Sequence, residues 1–437
     1  MRHNFISVAS GILLASSTTV NAQGCDWQPL GTGVMPAADA CAVLANGDVV
    51  YGGRFGIAGS TPVGFVARWD GSQWHEMGTG FNSFVRTLLA LPDGSVIAGG
   101  QFTITIGPRQ NNLISRWDGS AWTPLGLGLD AGSCRALMLT DSGDIVAAGS
   151  FLQADDQPAW GVARWDGKVW SKLGTNTDGG GVSGYLTAEP SPTLIYDVVE
   201  MPNGDIIVGG NFTRADDVSA PGIARWDGSQ WHPLGSGTNA SVRAMALLEN
   251  GDLLITGIFG TAGGIQVNGL ARWDGSAWHA VGSGFTGVRS NSPFALATTP
   301  GGDIVVAGAF DVVCDTPVNN IAKWSPNTDT WSAMGSGMSP RIQTVVLDLS
   351  VTPDGTVYAA GQFDSAGGNT FAVNAAMFSC DQLCPADTNG DGGLSPADFS
   401  AWIAAYNSSE PECDQNADGT CSPADFSAWV ANYNAGC

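Results

Sequence analysis

The sequence has few charged residues and very few basic ones. Of its 437 residues 13% are charged, and 17 Lys and Arg stand against 40 Asp and Glu, so the formal net charge is −23. Nucleic acids and anionic membranes are bound through basic patches, which this composition does not favour. We therefore expect no nucleic-acid partner.

Long apolar segments are also missing. The stretch from about Phe5 to Ala15 follows Arg2 and His3 and is followed by small residues up to Ala22. It is too short to span a bilayer and has the layout of a secretory signal peptide. We expect residues 1–22 to be removed, no transmembrane segment, and a secreted or cell-surface protein whose nine cysteines can form disulfides.

Familiar catalytic patterns are absent as well. Only four histidines occur, and His75, His232 and His279 each follow a Trp at the same repeat position, so symmetry separates them. Neither a Gly-x-Ser-x-Gly elbow nor a phosphate-binding glycine loop is present. The sequence predicts no catalytic residues.

What the sequence does have is a repeat, best seen in residues 203–237. Asn203-Gly204-Asp205 precedes an apolar run, Gly209-Gly210 and Phe212, and then come Ala-Arg-Trp, Asp-Gly-Ser and a second Trp. Short apolar runs bounded by Gly, Asp and Asn indicate strands joined by tight turns. Four strands fit in each copy, which we call a, b, c and d in chain order.

Two recurring aromatic residues each indicate seven copies of the repeat. The Phe after strand b recurs at Phe55, Phe102, Phe151, Phe212, Phe259, Phe310 and Phe363, and the strand d Trp at Trp27, Trp74, Trp122, Trp170, Trp231, Trp278 and Trp331. Four strands in about 40 to 50 residues are typical of a propeller blade. We predict an all-β, seven-bladed β-propeller over residues 23–380, in which the N-terminal strand at Trp27 completes the last blade.

One copy carries a more specific pattern. Gly-Gly ends strand b, Lys323-Trp324 and Trp331 flank a longer turn, and Pro340-Arg341 follows. This copy resembles a kelch repeat, and the other copies are kelch-like with a shorter turn. The resemblance implies a propeller that binds proteins, since kelch propellers mostly do so and a minority are oxidases.

The last segment, residues 381–437, differs in composition. From Cys380 to Cys437 it has nine acidic residues, no Lys or Arg, and two copies of one twelve-residue loop. Oxygen ligands at positions 1, 3, 5, 9 and 12, a Gly at position 6 and a backbone carbonyl at 7 form the EF-hand pattern. The predicted ligands of two calcium ions are Asp387, Asn389, Asp391, Gly393, Ser395 and Asp398, and Asp414, Asn416, Asp418, Thr420, Ser422 and Asp425.

Each loop leads into a short predicted helix, Phe399–Tyr406 and Phe426–Tyr433. Paired loop and helix units with Asp at position 12 and no entering helix resemble a dockerin module. The repeated Ser-Pro-Ala-Asp-Phe-Ser-Ala-Trp and the final Asn434-Ala435-Gly436-Cys437 resemble the GC-type dockerin-like tails of secreted planctomycete proteins. The resemblance implies a scaffold or envelope receptor as the partner of the tail.

The loops between strands b and c and between d and a emerge on one face, where the copies differ most. The spacing from Trp165 to Trp226 is stretched to 61 residues by an insertion that carries Tyr185. Variable loops on a rigid scaffold are common binding sites. The candidate binding residues are Trp160, Tyr185, Arg109, Asp155, Asp156, Asp216 and Asp217, with the aspartates a possible cation or sugar cluster or simply solvated loop carboxylates.

The cysteines predict a bond across the junction of the chain ends. Cys380 and Cys25 fall at the positions of the consecutive turn residues Gly71 and Ser72, respectively, of a complete copy, so a disulfide would replace that turn. Four tail cysteines allow three pairings, of which we favour Cys384 with Cys437 and Cys413 with Cys421. Cys41, Cys134 and Cys314 remain, and at least one of them is unpaired.

Two functions remain open from sequence. The first is a secreted binding protein whose propeller contacts a protein or glycan and whose calcium-dependent tail anchors it. The alternative is a carbohydrate-active enzyme with its site in the propeller mouth, which a convergent pair of carboxylates there would favour. A purely structural surface protein would instead show an exposed apolar patch.

We expect the tail to bind two calcium ions and to lose structure when they are removed. Its nine carboxylates have no basic partner and repel one another until divalent ions neutralise them. Titration calorimetry should give two sites per chain, and chelation should reduce helical circular dichroism unless disulfides hold the fold. No binding at millimolar calcium would contradict the assignment of these loops.

Overall fold

The computed structural model describes residues 25–106, 109–130, 132–176, 180–183, 193–287, 292–339, 343–368, 372–380, 386, 388, 396–408, 413–415 and 420–435. The predicted signal peptide lies outside these ranges. The chain divides into two compact units, Asp26–Ser379 and the two termini Met1–Cys25 and Cys380–Cys437. Among the described residues no helix has the length and apolar character needed to cross a membrane.

The larger unit is built from seven four-stranded sheets within its described residues, numbered here in chain order. Each sheet has its strands in the order a, b, c, d, and in sheet 7 strand d is the first strand of the chain. Their bounds are Ala38–Val43, Val49–Gly53, Val66–Trp69 and Trp74–Glu76 (sheet 1); Val85–Ala90, Val96–Ile106, Arg109–Trp117 and Trp122–Pro124 (sheet 2); Cys134–Leu139, Ile145–Gly149, Val162–Trp165 and Trp170–Lys172 (sheet 3); Leu194–Glu200, Ile206–Asn211, Ile223–Trp226 and Trp231–Pro233 (sheet 4); Val242–Leu247, Leu253–Gly257, Leu270–Trp273 and Trp278–Ala280 (sheet 5); Ser292–Thr298, Ile304–Ala309, Ile321–Ser325 and Thr330–Ala333 (sheet 6); Val345–Val351, Val357–Gln362, Ala375–Cys380 and Cys25–Pro29 (sheet 7).

Short hairpins lie between strands b and c, where the sequence predicted only loops. They pair as Ile57–Ala58 with Thr61–Pro62, Gln153–Ala154 with Gln157–Pro158, Arg214–Ala215 with Val218–Ser219, Thr261–Ala262 with Ile265–Gln266, and Val312–Val313 with Thr316–Pro317. All five also pair with the segment entering strand a. Two do so through short strands at Val34–Met35 and Val182–Ser183, and three through single bridges, Leu129 with Ala154, Thr238 with Ala262 and Phe285 with Val313. This face is therefore hydrogen-bonded rather than made of free loops.

The apolar residues of strand b are buried because sheets pack on both of its faces. In sheet 4 every residue from Ile206 to Gly210 is buried, as expected of a central strand in stacked sheets. The turn before it is closed by Asn203, whose side-chain oxygen accepts a hydrogen bond from the Asp205 amide at 3.2 Å. Gly204 there has a φ of +84°, which glycine adopts without strain.

The repeated Phe forms the core between neighbouring sheets. All seven are at most 4% exposed. Each core cluster draws residues from two consecutive sheets, as where Phe55 of sheet 1 packs with Ala360 and Ala375 of sheet 7. Truncating such a Phe to Ala typically costs about 3–5 kcal/mol of stability. The prediction that these residues serve packing is confirmed.

The strand d Trp joins neighbouring sheets by a hydrogen bond. In six sheets its indole Nε1–H donates to a backbone carbonyl of the preceding strand d segment at 2.9–3.1 Å: Trp27 to Met334, Trp74 to Leu30, Trp122 to Met77, Trp170 to Leu125, Trp231 to Leu173 and Trp278 to Leu234. In sheet 6 the Trp331 indole N–H has no hydrogen-bond partner in the part of the chain that the structure describes. The Cys314 thiol donates to the Val281 carbonyl instead, at 3.3 Å.

The opposite face repeats two polar contacts almost unchanged. A strand c cation pairs with the Asp of the a-to-b turn in six sheets: Arg68 with Asp48, Arg116 with Asp93, Arg164 with Asp144, Arg225 with Asp205, Arg272 with Asp252 and Lys323 with Asp303. The three repeat histidines each contact the Asp of their own c-to-d turn, as His232 does Asp227. That hydrogen bond holds the Asp227 pKa well below its ordinary value.

The smaller unit contains helices Pro396–Ser408 and Pro423–Ala435, each beginning three residues before the predicted start. At the second helix the Ser422 hydroxyl accepts from the Ala424 amide at 3.2 Å, and Asp425 accepts from the Ser422 amide at 2.7 Å. This capping box with Pro at the first helical position fixes the start. Trp402 and Trp429 are buried in a small aromatic core, as predicted.

The cysteine predictions are settled in part. Cys413 and Cys421 form a disulfide, as expected, and Cys41, Cys134 and Cys314 are free. Cys25 is disulfide-bonded, while the side chain of its predicted partner Cys380 lies outside the described residues. Cys384 and Cys437 also lie outside them.

Replacing Trp170 by Phe should weaken the larger unit by about 1–3 kcal/mol more than replacing Trp331 by Phe. Both changes remove the same ring atoms, but only Trp170→Phe leaves a buried carbonyl, that of Leu125, without its donor. Urea unfolding of the two variants measures the difference. Equal losses of stability would show that the indole bond contributes nothing.

Candidate functional site

A glycine near the end of strand b, or at the matching position of the longer strand b in sheet 2, brings strand a unusually close. The positions are Gly53, Gly100, Gly149, Gly210, Gly257, Gly308 and Gly361, where an added Cβ would lie 1.9–2.5 Å from a backbone oxygen at or just before strand a. No side chain can be accommodated at that distance. The Gly-Gly or x-Gly ending of strand b in the sequence is therefore a packing requirement.

At this close approach every strand a contains a β-bulge. The register between strands a and b skips one residue in each sheet: Asp39, Arg86, Arg135, Tyr196, Arg243, Phe294 and Leu347. A bulged residue is unpaired and its side chain is re-aimed. We call these seven residues the bulge set.

The bulge set lines one cavity. All seven a strands contribute to its wall, so we call it the central cavity; its volume is about 400 Å³. Each bulge residue is the second or third residue of its strand, at the end where the d-to-a segment enters. The bulge residues therefore lie at the end of the cavity toward the face that carries the b-to-c hairpins, and we call this end the mouth.

One acidic residue of the bulge set is fully paired. Asp39 accepts hydrogen bonds from Arg54 at 3.0 Å and from Arg86 at 2.7 Å. Burial raises the Asp39 pKa, and the two guanidinium groups act against that rise. We take Asp39 to be ionised, because two arginines within hydrogen-bond distance stabilise the carboxylate.

Two arginines of the bulge set contact aromatic rings instead of carboxylates. The Arg243 guanidinium carbon lies 3.9 Å from the Tyr196 ring centroid and 5.5 Å from that of Phe294. Arg135 lies 5.7 Å from the Tyr196 centroid. Within the described part of the chain neither arginine has a carboxylate at salt-bridge distance, and the Nε atoms of Arg86, Arg135 and Arg243 are buried without a hydrogen-bond partner.

The central cavity also contains two aspartates next to bulges. Asp197 accepts from the amides of Val198 at 2.8 Å and of Met245 at 2.6 Å. Asp348 accepts in the same way from Leu349 and Cys41, both at 2.9 Å. Desolvation raises the pKa of each carboxyl to about 7. Both aspartates link strand a of one sheet to strand a of the next.

The four candidate aspartates on the hairpin face are turn residues. Asp155 and Asp156 form the turn of one hairpin with φ of +49° and +58°, and Asp216 and Asp217 form the turn of another. The Asp155 carboxylate accepts from the amides of Leu127 and Trp170 at 2.6 and 3.2 Å. Asp216 accepts from the Thr175 and Gly181 amides at 2.7 and 2.8 Å. Asp155 and Asp216 thus have local structural partners, and their binding role stays a prediction.

The aromatic and basic candidates are placed less completely. Trp160 is half-buried, and its backbone pairs with Gly180 and Val182 at 3.1 and 3.0 Å. Arg109 begins strand c of sheet 2, and its side chain lies outside the described residues, as does Tyr185. Whether these three side chains share a site stays a prediction.

Part of each predicted calcium loop is described. Asp398 and Asp425 are fully buried, and Asp425 accepts from the Gln415 amide at 3.0 Å. Asp414, Thr420 and Ser422 are also described, whereas Asp387, Asn389, Asp391, Gly393, Ser395, Asn416 and Asp418 lie outside. The described residues alone contain no group of three metal-ligating side chains. Calcium binding stays a prediction.

The bulge set was missed by sequence reasoning. One signal was available, because Arg86, Arg135 and Arg243 are each the second residue of strand a in their copies. A polar residue at the same point of a buried strand in several repeats indicates a shared surface. That surface is the central cavity.

Comparisons with known proteins agree with this architecture. A family model described as "Domain of unknown function (DUF5122) beta-propeller" matches residues 202–226, which run from the a-to-b turn through strand c of sheet 4. The larger unit is a β-propeller. A search of curated proteins gave no match.

Solved structures resemble the propeller at low sequence identity. A streptogramin B lyase is 10% identical with a TM-score of 0.50, over 82% of this chain and 98% of that one. A domain described as the extracellular part of a hybrid two component system from B. thetaiotaomicron is 11% identical with a TM-score of 0.51, over 81% of this chain and 39% of that one. Likeness at this identity shows the fold alone.

The propeller should lose stability as pH rises from 4 through 7. The folded-state pKa of Asp348 is raised to about 7, whereas an unfolded Asp titrates near ~3.9. Between these values the folded state holds more protons, so its advantage is complete below about pH 4 and is lost through pH 7. Asp348→Asn removes this contribution.

Denaturant unfolding of wild type and Asp348→Asn at pH 5 and pH 8 tests whether the contribution of Asp348 to stability depends on pH. The free energy of unfolding of wild type relative to the variant should fall with pH, by at most about 1.4 kcal/mol per unit. A difference that does not change with pH would contradict the raised pKa.

Proposed function

We propose that this chain is a secreted binding protein. Its propeller binds a protein or glycan ligand on the face carrying the central cavity mouth, and its dockerin-like tail anchors it through calcium to a scaffold or envelope receptor. The observation that carries the proposal is the bulge set, which directs three arginines and two aromatic residues into one cavity. Concave sites with a few convergent polar groups are the usual binding sites of proteins.

The scaffold for this site is a seven-bladed, kelch-like propeller closed by its N-terminal strand. Seven four-stranded sheets support the count, and the first strand at the edge of sheet 7 supports the closure. Hydrogen bonds join sheet 7 to sheet 1, including Asn374 Nδ2 to the Val34 carbonyl at 2.7 Å and Cys41 N to Asp348. A closed scaffold holds the mouth residues in fixed positions.

The tail supplies the proposed anchor. Its two loops have the ligand spacing of calcium sites, and the buried Asp398 and Asp425 at position 12 face no described basic residue in that unit. Two helices pack on a shared aromatic core, which is the expected arrangement of paired loop and helix units. The partner of the tail would be a protein receptor, and the protein would lie outside the cytoplasm.

An enzyme acting on glycans is the second candidate. The observation in its favour is the pair Asp197 and Asp348, whose pKa values of about 7 suit a general acid. Each of their carboxylate oxygens, however, already accepts a backbone amide that joins two sheets. Structural linkage accounts for both residues, so binding is the better-supported function.

Binding on the mouth face can be tested with immobilised mature protein in calcium. Envelope proteins and a panel of polysaccharides would be applied to wild type, to Trp160→Ala with Tyr185→Ala, and to Gln230→Ala. Gln230 is exposed in a c-to-d turn on the opposite face. Loss of two aromatic contacts should lower the affinity for the bound ligand by about tenfold or more. Gln230→Ala should leave that affinity unchanged.

Equal binding by all three proteins would move the site away from this face. Release of the retained ligand as cleaved, shorter sugar chains would favour the enzyme. Asp197→Asn and Asp348→Asn should then abolish cleavage while retaining binding.

A further inference from the structure

We propose that the central cavity binds a small polyanion, a compact molecule bearing two or three carboxylate, sulfate or phosphate groups. This inference rests on the proposed binding function and names the class of ligand at its site. It starts from charge. In a chain with 17 basic and 40 acidic residues, three arginines converge on one cavity.

Two of these arginines, Arg135 and Arg243, differ from the others in their partners. The strand c arginines each pair with a turn aspartate, and Arg86 shares Asp39 with Arg54. Arg135 and Arg243 have no described carboxylate at pairing distance. A cation that is partly desolvated and unpaired costs stability, so a chain so rich in carboxylates would be expected to supply a partner unless a ligand does.

The arginines are also held in place. Arg243 lies between Tyr196 and Phe294, and Arg135 lies on the other side of Tyr196. Their Nε atoms, with that of Arg86, are buried donors with no acceptor among the described residues. Desolvation lowers the pKa of Arg135, and the charges of Arg86 and Arg243 lower it further, while Tyr196 and Asp39 act in the opposite direction. Positive guanidinium groups that repel one another are stabilised by an anion bound between them.

The volume of the cavity and the net charge of the chain limit the size of the ligand. A cavity of about 400 Å³ is at the small end of the range for ligand sites. The net charge of −23 repels long acidic polymers before they reach the mouth. A compact anion is repelled less, and guanidinium groups bind carboxylate, sulfate and phosphate oxygens in bidentate fashion. The anion could be free or form the end of a short acidic glycan.

Titration calorimetry and thermal shift on the full mature protein test this. Sulfate and tricarballylate serve as free anions, and a sulfated disaccharide serves as a glycan terminus. Wild type should bind at least one of them and gain thermal stability with concentration. A stronger response to the disaccharide identifies a glycan source, and a stronger response to tricarballylate identifies a free polyanion.

Arg135→Met should weaken binding by about tenfold or more, the loss expected for a hydrogen bond to a charged group. Arg225→Met is the matched control, because Arg225 pairs with Asp205 outside the central cavity and its loss removes the same charge. Without ligand, Arg135→Met should melt no lower than wild type, since it removes an unpaired cation. Arg243→Met is a second cavity variant that should also weaken binding. If it does not fold, Arg243→Lys keeps the charge and should bind more weakly than wild type.

Absence of binding by wild type, or an equal loss in Arg225→Met, would overturn the inference. If anions fail while the ligand of the mouth face still depends on Trp160, the binding function stands and only the anion class is wrong. If anions bind through Arg135 and no protein or glycan is retained, the cavity site stands and the wider proposal falls.

Discussion

The structure depends on one steric constraint, the absence of a side chain at the end of each strand b. Because strand a approaches this glycine within a distance that excludes a Cβ, strand a can hold one extra residue in its pairing with strand b. That residue is free of pairing, and its identity is open to change without altering the sheet. A packing rule repeated seven times thus creates seven substitutable positions around one cavity.

Arginine has two different environments in this protein. On strand c, arginine is paired with a turn aspartate near solvent, where such pairs contribute little to stability. In the bulge set arginine is desolvated and stacked on rings, where charge has larger consequences. The difference arises from the partner available at each repeat position, not from the overall acidity of the chain.

Sequence periodicity was sufficient for the sheets, the buried Phe and the tail helices. Strand b of sheet 4, Ile206–Asn211, coincides with the apolar run that follows Asn203-Gly204-Asp205 in the sequence. The bulges were not predicted, because one skipped residue leaves the apolar period almost intact. The sequence predicts loops where the structure has the Asp155–Asp156 and Asp216–Asp217 hairpins. The position of these hairpins after the repeat Phe matches that of the Gly263–Gly264 turn, a signal visible only when the copies are aligned. The second tail helix begins three residues before its predicted start because a cap at Ser422, not hydrophobicity, sets that start.

The exception at Trp331 gives the array a preferred point of opening. Between sheets 5 and 6 a weak thiol donor at Cys314 takes the carbonyl that an indole would otherwise hold. Amide hydrogens near this boundary should exchange with solvent earlier than those at the other boundaries, as expected where local unfolding is cheapest.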